Sequence, residues 1–219
     1  SNEGFLLFGG GNGVICDISG GGENHLNAEY RALRALGATE VRVLLLPQYK
    51  DAYPYTLSAF SAQVLVREVW IPEPDNDEER QILFNLAEVA QKRGFSLAVF
   101  SPETPLTIFR TGKVTVSKKL YERRSVKPAF TVRFDFPSSS LLYVSDAYPE
   151  YAADRGREIG EGADVLLFGC SGPSMKKTVP VPAGFPLVIL TTEEQLKYLT
   201  VNPDCNYLYL PQKFRVRLK

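Results

Sequence analysis

Along the first hundred residues, short continuous apolar runs alternate with segments whose apolar positions fall three and four apart. Residues 5–8 and 14–17 read as two strands joined by the turn-rich Gly9-Gly10-Gly11-Asn12-Gly13. Leu26, Tyr30 and Leu33 follow helical spacing, and Gly37 closes that helix. Residues 41–46 form an uninterrupted, largely apolar run ended by Pro47, the pattern of a strand covered on both faces. A shorter strand at 69–71 stops at Pro72-Glu73-Pro74. The clearest element is a second helix with Ile82, Leu83, Leu86, Val89 and Ala90 on one stripe. Asp75, Asn76 and Asp77 offer N-caps, Glu78 and Glu79 suit the positive end of the dipole, and Gly94 ends the helix. Residues 95–100 resume strand character.

From there the pattern becomes antiparallel. Residues 106–109 and 113–116 flank Thr111-Gly112 as a hairpin. Phe130, Val132, Phe134 and Phe136 alternate with Thr131, Arg133 and Asp135, giving a strand with one buried and one wet face. A turn at 137–140 leads into a strand at 141–144. A weaker helix at 150–159 precedes strands at 165–168 and 187–190, a short helix at 193–199, a strand at 207–210 and an alternating Phe214, Val216, Leu218. Residues 173–186 carry four prolines and read as a loop, because strands follow them. Many strands with few, widely spaced helices predict two sheets packed together with helices outside. A doubly wound sheet would need a helix after nearly every strand, which this pattern does not supply.

Composition narrows the function classes without choosing one. At 219 residues the expectation is a single domain over 1–219, and 44% hydrophobic with 23% charged residues is ordinary for a globular protein. No apolar run approaches the roughly 20 residues needed to span a bilayer, and no basic region precedes the apolar residues 5–8 as in a signal peptide. The abrupt apolar opening suggests a soluble piece excised from a longer protein, with Ser1-Asn2 left from a tag. Basic and acidic residues balance at 25 each, so attraction to nucleic acid or acidic lipid would have to come from a local patch. Cys16, Cys170 and Cys205 are too irregularly spaced for a disulfide framework or a zinc knuckle and read as inert thiols.

Three motifs carry candidate chemistry. Gly20-Gly21-Gly22-Glu23-Asn24-His25 follows a strand and opens a helix, as a phosphate cradle would. It lacks the dinucleotide spacing, and no Gly-Lys-Ser/Thr occurs, so a tight turn is the preferred reading. Gly169-Cys170-Ser171-Gly172 also follows a strand but is not a nucleophile elbow. The one histidine, His25, lies far off in sequence and reads as part of a helix start. The basic stretch Lys118, Lys119, Arg123, Arg124 and Lys127, with Tyr121 among them, could grip a phosphate backbone and stack a base. Its plainer reading is a solvated loop.

Taken in order, these passages resemble the metallo-β-lactamase superfamily, in particular the hydrolase-type domain at the C-terminal end of ComEC-like DNA-internalisation channels. Cys16-Asp17-Ile18-Ser19-Gly20 stands where that family has an Asp-Thr-Gly-like turn, and Ala35-Leu36-Gly37 with the following apolar strand leads to its metal motif. That motif has the form His-x-His-x-Asp-His; here the segment is Pro47-Gln48-Tyr49-Lys50-Asp51-Ala52, so only Asp51 is kept. Leu141-Leu142-Tyr143-Val144-Ser145-Asp146 resembles the strand ending in a bridging aspartate, with Asp146 kept. The next ligand position falls at Cys170. The resemblance covers residues 5–172 and lies in the order of elements more than in motif residues.

The resemblance implies a mixed α/β fold, a four-layer αββα sandwich with two mixed sheets between helices. It also implies a degenerate metal site, with Pro47, Tyr49, Ala52 and Cys170 at substituted ligand positions and Asp51 and Asp146 as residual ones. Such a set offers no imidazole and cannot hold two ions bridging a hydroxide. No zinc and no small-molecule cofactor are therefore expected, although two carboxylates could weakly bind Mg²⁺, Mn²⁺ or Ca²⁺. The leading expectation is a non-catalytic domain of a ComEC-like membrane protein, structural or DNA-contacting. Its partners would be the rest of that parent protein and single-stranded DNA, and it would be membrane-associated through the parent, on the extracytoplasmic side. The alternatives are a divergent metal-dependent nuclease or phosphoesterase using Asp51 and Asp146, and a protein-interaction domain with no nucleic-acid role.

Overall fold

The computed structural model describes residues 5–9, 12–18, 30–119, 129–144, 162–168, 179–180, 186–190, 199–200 and 203–209. The chain divides into two compact units, Ser1–Pro102 and Glu103–Lys219.

The first unit is built on a five-stranded mixed sheet in sequence order: β1 (Phe5–Gly9), β2 (Asn12–Cys16), β3 (Glu40–Leu45), β4 (Leu65–Pro72) and β5 (Ser96–Phe100). The β1–β2 pair is antiparallel, and every later pair is parallel. Parallel neighbours require crossovers, and these are supplied by α1 (of which residues 30–35 are described), α2 (Tyr53–Ser61) and α3 (Asp77–Arg93). Helix α2 is the one that the sequence pattern does not reveal. Its residues Tyr53, Thr56, Leu57 and Phe60 are buried at helical spacing. The segment is short and rich in aromatic and hydroxyl residues rather than strong helix formers, so only tertiary burial makes it a helix.

Ile15, Leu44, Val69 and Ile71 from the strands pack with Leu33, Leu57, Phe60, Leu86 and Ala90 from the helices in one cluster. Val41 and Leu44 share that cluster although three apart, because the β2–β3 register shifts between Gly13 and Val14. This irregularity leaves Arg42 unpaired and exposed. Val14, Cys16, Val43 and Leu45 are buried as well, so β2 and β3 are covered on both faces, as the apolar run predicts.

Helix α3 has the caps its sequence promises. Asn76 accepts the Glu79 N–H at 2.9 Å, and the Glu79 carboxylate accepts the Asp75 N–H at 2.8 Å. Gly94 closes the helix at φ +77° with its N–H on the Ala90 carbonyl.

The second unit holds a seven-stranded sheet of β6 (Leu106–Ile108), β7 (Gly112–Lys119), β8 (Ala129–Phe136), β9 (Ser139–Val144), β10 (Val165–Phe168), β12 (Leu187–Leu190) and β14 (Asn206–Tyr209). Its order is β14-β12-β10-β9-β8-β7-β6. β6 to β9 form an antiparallel meander, and β9, β10, β12 and β14 run parallel. A separate parallel pair joins β11 (Val179–Pro180) to β13 (Leu199–Thr200). The β6–β7 turn places Phe109 and Arg110 at positive φ.

On β8, Phe130, Val132 and Phe134 are buried while Arg133 and Asp135 pair at 2.9 Å on the wetter face. Thr131 departs from the predicted alternation and is buried, and Phe136 is only half-buried. Leu199 belongs to β13 rather than to the helix expected at 193–199, whose other residues lie outside the described ones. The helix expected at 150–159 and the alternating 214–218 also lie outside them.

Candidate functional site

In a parallel sheet the strand ends where chains turn into helices collect polar groups, because backbone amides and carbonyls run out of sheet partners there. In the first unit this happens just past β2 and β3. Asp17 follows β2 in the left-handed region, at φ +60°, a conformation aspartate tolerates better than most residues. Its N–H donates to the Leu45 carbonyl at 2.8 Å, which anchors the turn to the end of β3.

The side chain of Asp17 is almost wholly buried, at 2% exposure. Burying a carboxylate is costly unless it is paired and hydrogen-bonded. Both oxygens are provided for. The Lys50 ammonium donates to Oδ2 at 2.6 Å and the buried Tyr53 hydroxyl donates to Oδ1 at 2.7 Å. Lys50 also lies 5.3 Å from the centroid of the Tyr53 ring. Two stretches distant in sequence thus meet on one carboxylate: the end of β2, and the passage from the loop after β3 into the first residue of α2. The adjoining Cys16 thiol is pushed well up by burial and by the Asp17 carboxylate, with Lys50 pulling the other way. That matches the inert thiol expected of it.

The degenerate motif segment occupies this same loop. Pro47 is buried, and Ala52 caps α2 without a side-chain bond. Tyr49 is half-buried and donates its hydroxyl to the Pro72 carbonyl at 2.6 Å. Burial, then the carboxylates of Glu79 and Asp75, push its ionisation well above the ordinary tyrosine range. Asp51 is exposed. Zinc needs imidazole, thiolate or several carboxylates converging on one point. Positions 47, 49, 52 and 51 offer a proline ring, an engaged neutral phenol, a methyl group and one solvent-facing carboxylate, so these positions do not fit the ion that the fold type implies. Among the described residues no three His, Cys, Asp or Glu side chains gather into a metal-holding group.

Asp146, Cys170 and His25 lie outside the described residues, as do Tyr121, Arg123, Arg124 and Lys127. The backbones of Lys118 and Lys119 end β7, opposite Phe130 and Ala129. In the sequence Asp17 and Lys50 stand out only as occupants of motif positions, and Tyr53 does not stand out at all. The available signal was an aspartate directly after an apolar strand, together with a lysine and a tyrosine three apart, just where a helix begins. Among the described residues no helix is long and apolar enough to cross a membrane.

No family model matches the chain, and no curated protein does. Solved structures do. Zinc-bound PqqB from Methylobacterium extorquens superposes with a TM-score of 0.51 at 12% identity, over 89% of this chain and 60% of PqqB. A point variant of CmlA beta-hydroxylase matches with a TM-score of 0.44 at 14% identity, over 74% of this chain and 32% of its own. This chain therefore spans about three-fifths of the length of the PqqB chain. At such identity the likeness to PqqB is one of fold alone, and the fold is of the metallo-β-lactamase type, with two mixed sheets and few helices.

Proposed function

We propose that this is a non-catalytic metallo-β-lactamase-fold domain of a ComEC-like DNA-uptake protein. It would be attached to the membrane through its parent on the extracytoplasmic side, and would contact single-stranded DNA through Lys118, Lys119, Tyr121, Arg123, Arg124 and Lys127. The observation that supports the loss of catalysis is the state of residues 47–52. Three of the four ligand positions carry Pro47, Tyr49 and Ala52, and Tyr49 is committed to the Pro72 carbonyl. A hydrolase of this type makes its nucleophile on metal, and a segment that keeps one ligand position of four cannot assemble it. The DNA role rests on the order of elements that resembles ComEC-like domains and on the basic stretch with its tyrosine.

Anisotropy titration of a labelled single-stranded oligonucleotide tests the DNA role. Binding should weaken with salt at a slope of about −0.7 per phosphate contact. Substituting the five basic residues with alanine should abolish it, and Tyr121→Ala should cost roughly 1–3 kcal/mol. Absence of binding at low salt would remove DNA contact from the reading. The zinc in PqqB favours a second reading, a divergent nuclease or phosphoesterase using Asp51 and Asp146. Metal-dependent cleavage of the same oligonucleotide, lost in Asp146→Ala, would establish that one instead.

A further inference from the structure

The poor fit of residues 47–52 to a divalent ion leaves a physical question at the end of β2. A buried carboxylate there, Asp17, still demands positive charge, and the loop after β3 still has to be held against the sheet. Both demands are met from within the chain. Lys50 comes from inside the degenerate motif itself, and its ammonium reaches Asp17 Oδ2 at 2.6 Å. Its side chain is 29% exposed, so the head group keeps some water while its charge is directed at the carboxylate. Tyr53 fills the second oxygen, which leaves Asp17 satisfied by one full charge and one neutral donor on its two oxygens.

We propose that the Lys50 ammonium is a built-in counter-cation. It balances Asp17 and pins the loop after β3 to the end of β2, so that this end of the sheet is complete without a metal ion. Its action is on position and stability, not on any reacting group. The Asp17 charge is balanced by a covalently attached cation that cannot be chelated away or exchanged. Whether the domain touches DNA does not enter this inference, and a failure of DNA binding leaves it standing.

The two sides of such a pair are not equivalent. Removing the cation strands a buried carboxylate. Removing the carboxylate leaves a lysine that can turn towards water. The test is equilibrium urea unfolding of the wild-type chain, Lys50→Met, Lys50→Arg, Asp17→Asn and the double variant, each in EDTA and with added Zn²⁺, Mn²⁺ or Mg²⁺. The wild-type midpoint should be the same in all four solutions. Lys50→Met should lower the folded-to-unfolded ratio by about 100-fold or more, Lys50→Arg by far less, and adding Asp17→Asn to Lys50→Met should recover most of the loss. If Lys50→Met does not fold, folding of the double variant carries the same meaning, and its failure to fold counts against the proposal. The proposal is overturned if Lys50→Met costs as much in the Asp17→Asn background as alone. It is equally overturned if a divalent ion stabilises the wild-type chain and Asp17→Asn abolishes that effect.

Discussion

The Tyr53 hydroxyl donates to Asp17 Oδ1 at 2.7 Å, across 36 positions of sequence and inside a region closed to solvent. One bond thereby joins the first residue of α2 to the turn that follows β2. Helix α2 has one local start signal, Pro54 in its first turn, but Ala52 gives it no side-chain cap and no acidic residue lies in that turn. Tyr53→Phe keeps the ring and its packing and removes only the donor. Hydrogen bonds to charged groups contribute about 1.5–3 kcal/mol, so the variant should lose stability by about that amount in chemical denaturation, with its m-value unchanged. A loss under about 0.5 kcal/mol, the range of a neutral surface change, would show that Tyr53 contributes packing alone.

Helix α3 makes the opposite case, because its ends are specified locally. Asn76→Ala removes the oxygen that accepts the Glu79 N–H and should cost about 1 kcal/mol. Gly94→Ala meets no steric obstacle, since nothing lies within 4 Å of the added carbon, yet it forces alanine to φ +77°. That should cost about 1–2 kcal/mol through backbone conformation alone. The two sites lie at opposite ends of a 17-residue helix, so their effects should add in the double variant. Measured coupling well above about 0.5 kcal/mol would mean that the helix frays as a unit from either end.

How far the sequence foretells this molecule depends on where the information sits. The strands at 165–168 and 187–190 coincide with β10 and β12, because a fully buried parallel strand announces itself as a continuous apolar run between turn residues. Helix α3 is legible for the same kind of reason: stripe, acidic start and glycine stop all lie within its own residues. Helix α2 is not, since its one local start signal is Pro54 and its buried face is only four residues. The candidate site shares that property. Lys50 and Tyr53 lie three residues apart, but only the folded β2–α1–β3 crossover brings Asp17 to them. Periodicity reports which residues face a core, but it cannot report which distant cation a buried aspartate will find.

Tyr49 gives the chain an alkaline weakness. Burial and the carboxylates of Glu79 and Asp75 raise its ionisation above the ordinary value of about 10. Between the unfolded and folded values the native state holds the proton that the unfolded chain releases, so stability falls as pH rises through that window. It is fully present below about pH 10. Tyr49→Phe should therefore flatten the alkaline limb of a stability-versus-pH curve. At neutral pH it should cost roughly 1 kcal/mol for the lost bond to the Pro72 carbonyl. An unchanged alkaline limb in Tyr49→Phe would assign that limb to other groups.

Metal content separates the readings of the site most directly. Proline, an engaged tyrosine and alanine at 47, 49 and 52 leave Asp51 as the one carboxylate of the motif, and it faces solvent. A lone exposed carboxylate shares its charge with water and holds a divalent ion poorly, because tight sites need six or more oxygens or a set of softer ligands at fixed distance. Elemental analysis of the dialysed protein, with and without prior addition of Mn²⁺ or Zn²⁺, should find less than about a tenth of an equivalent of either ion, since a functional centre would hold near one. Near-stoichiometric metal that Asp146→Ala abolishes would carry the opposite conclusion. Asp146 would then be a ligand, and the nuclease reading, which uses Asp51 and Asp146, would replace the non-catalytic one. Metal retained in Asp146→Ala but lost in Asp17→Asn would instead place the ion on the carboxylate that Lys50 occupies, so the same preparation distinguishes the two.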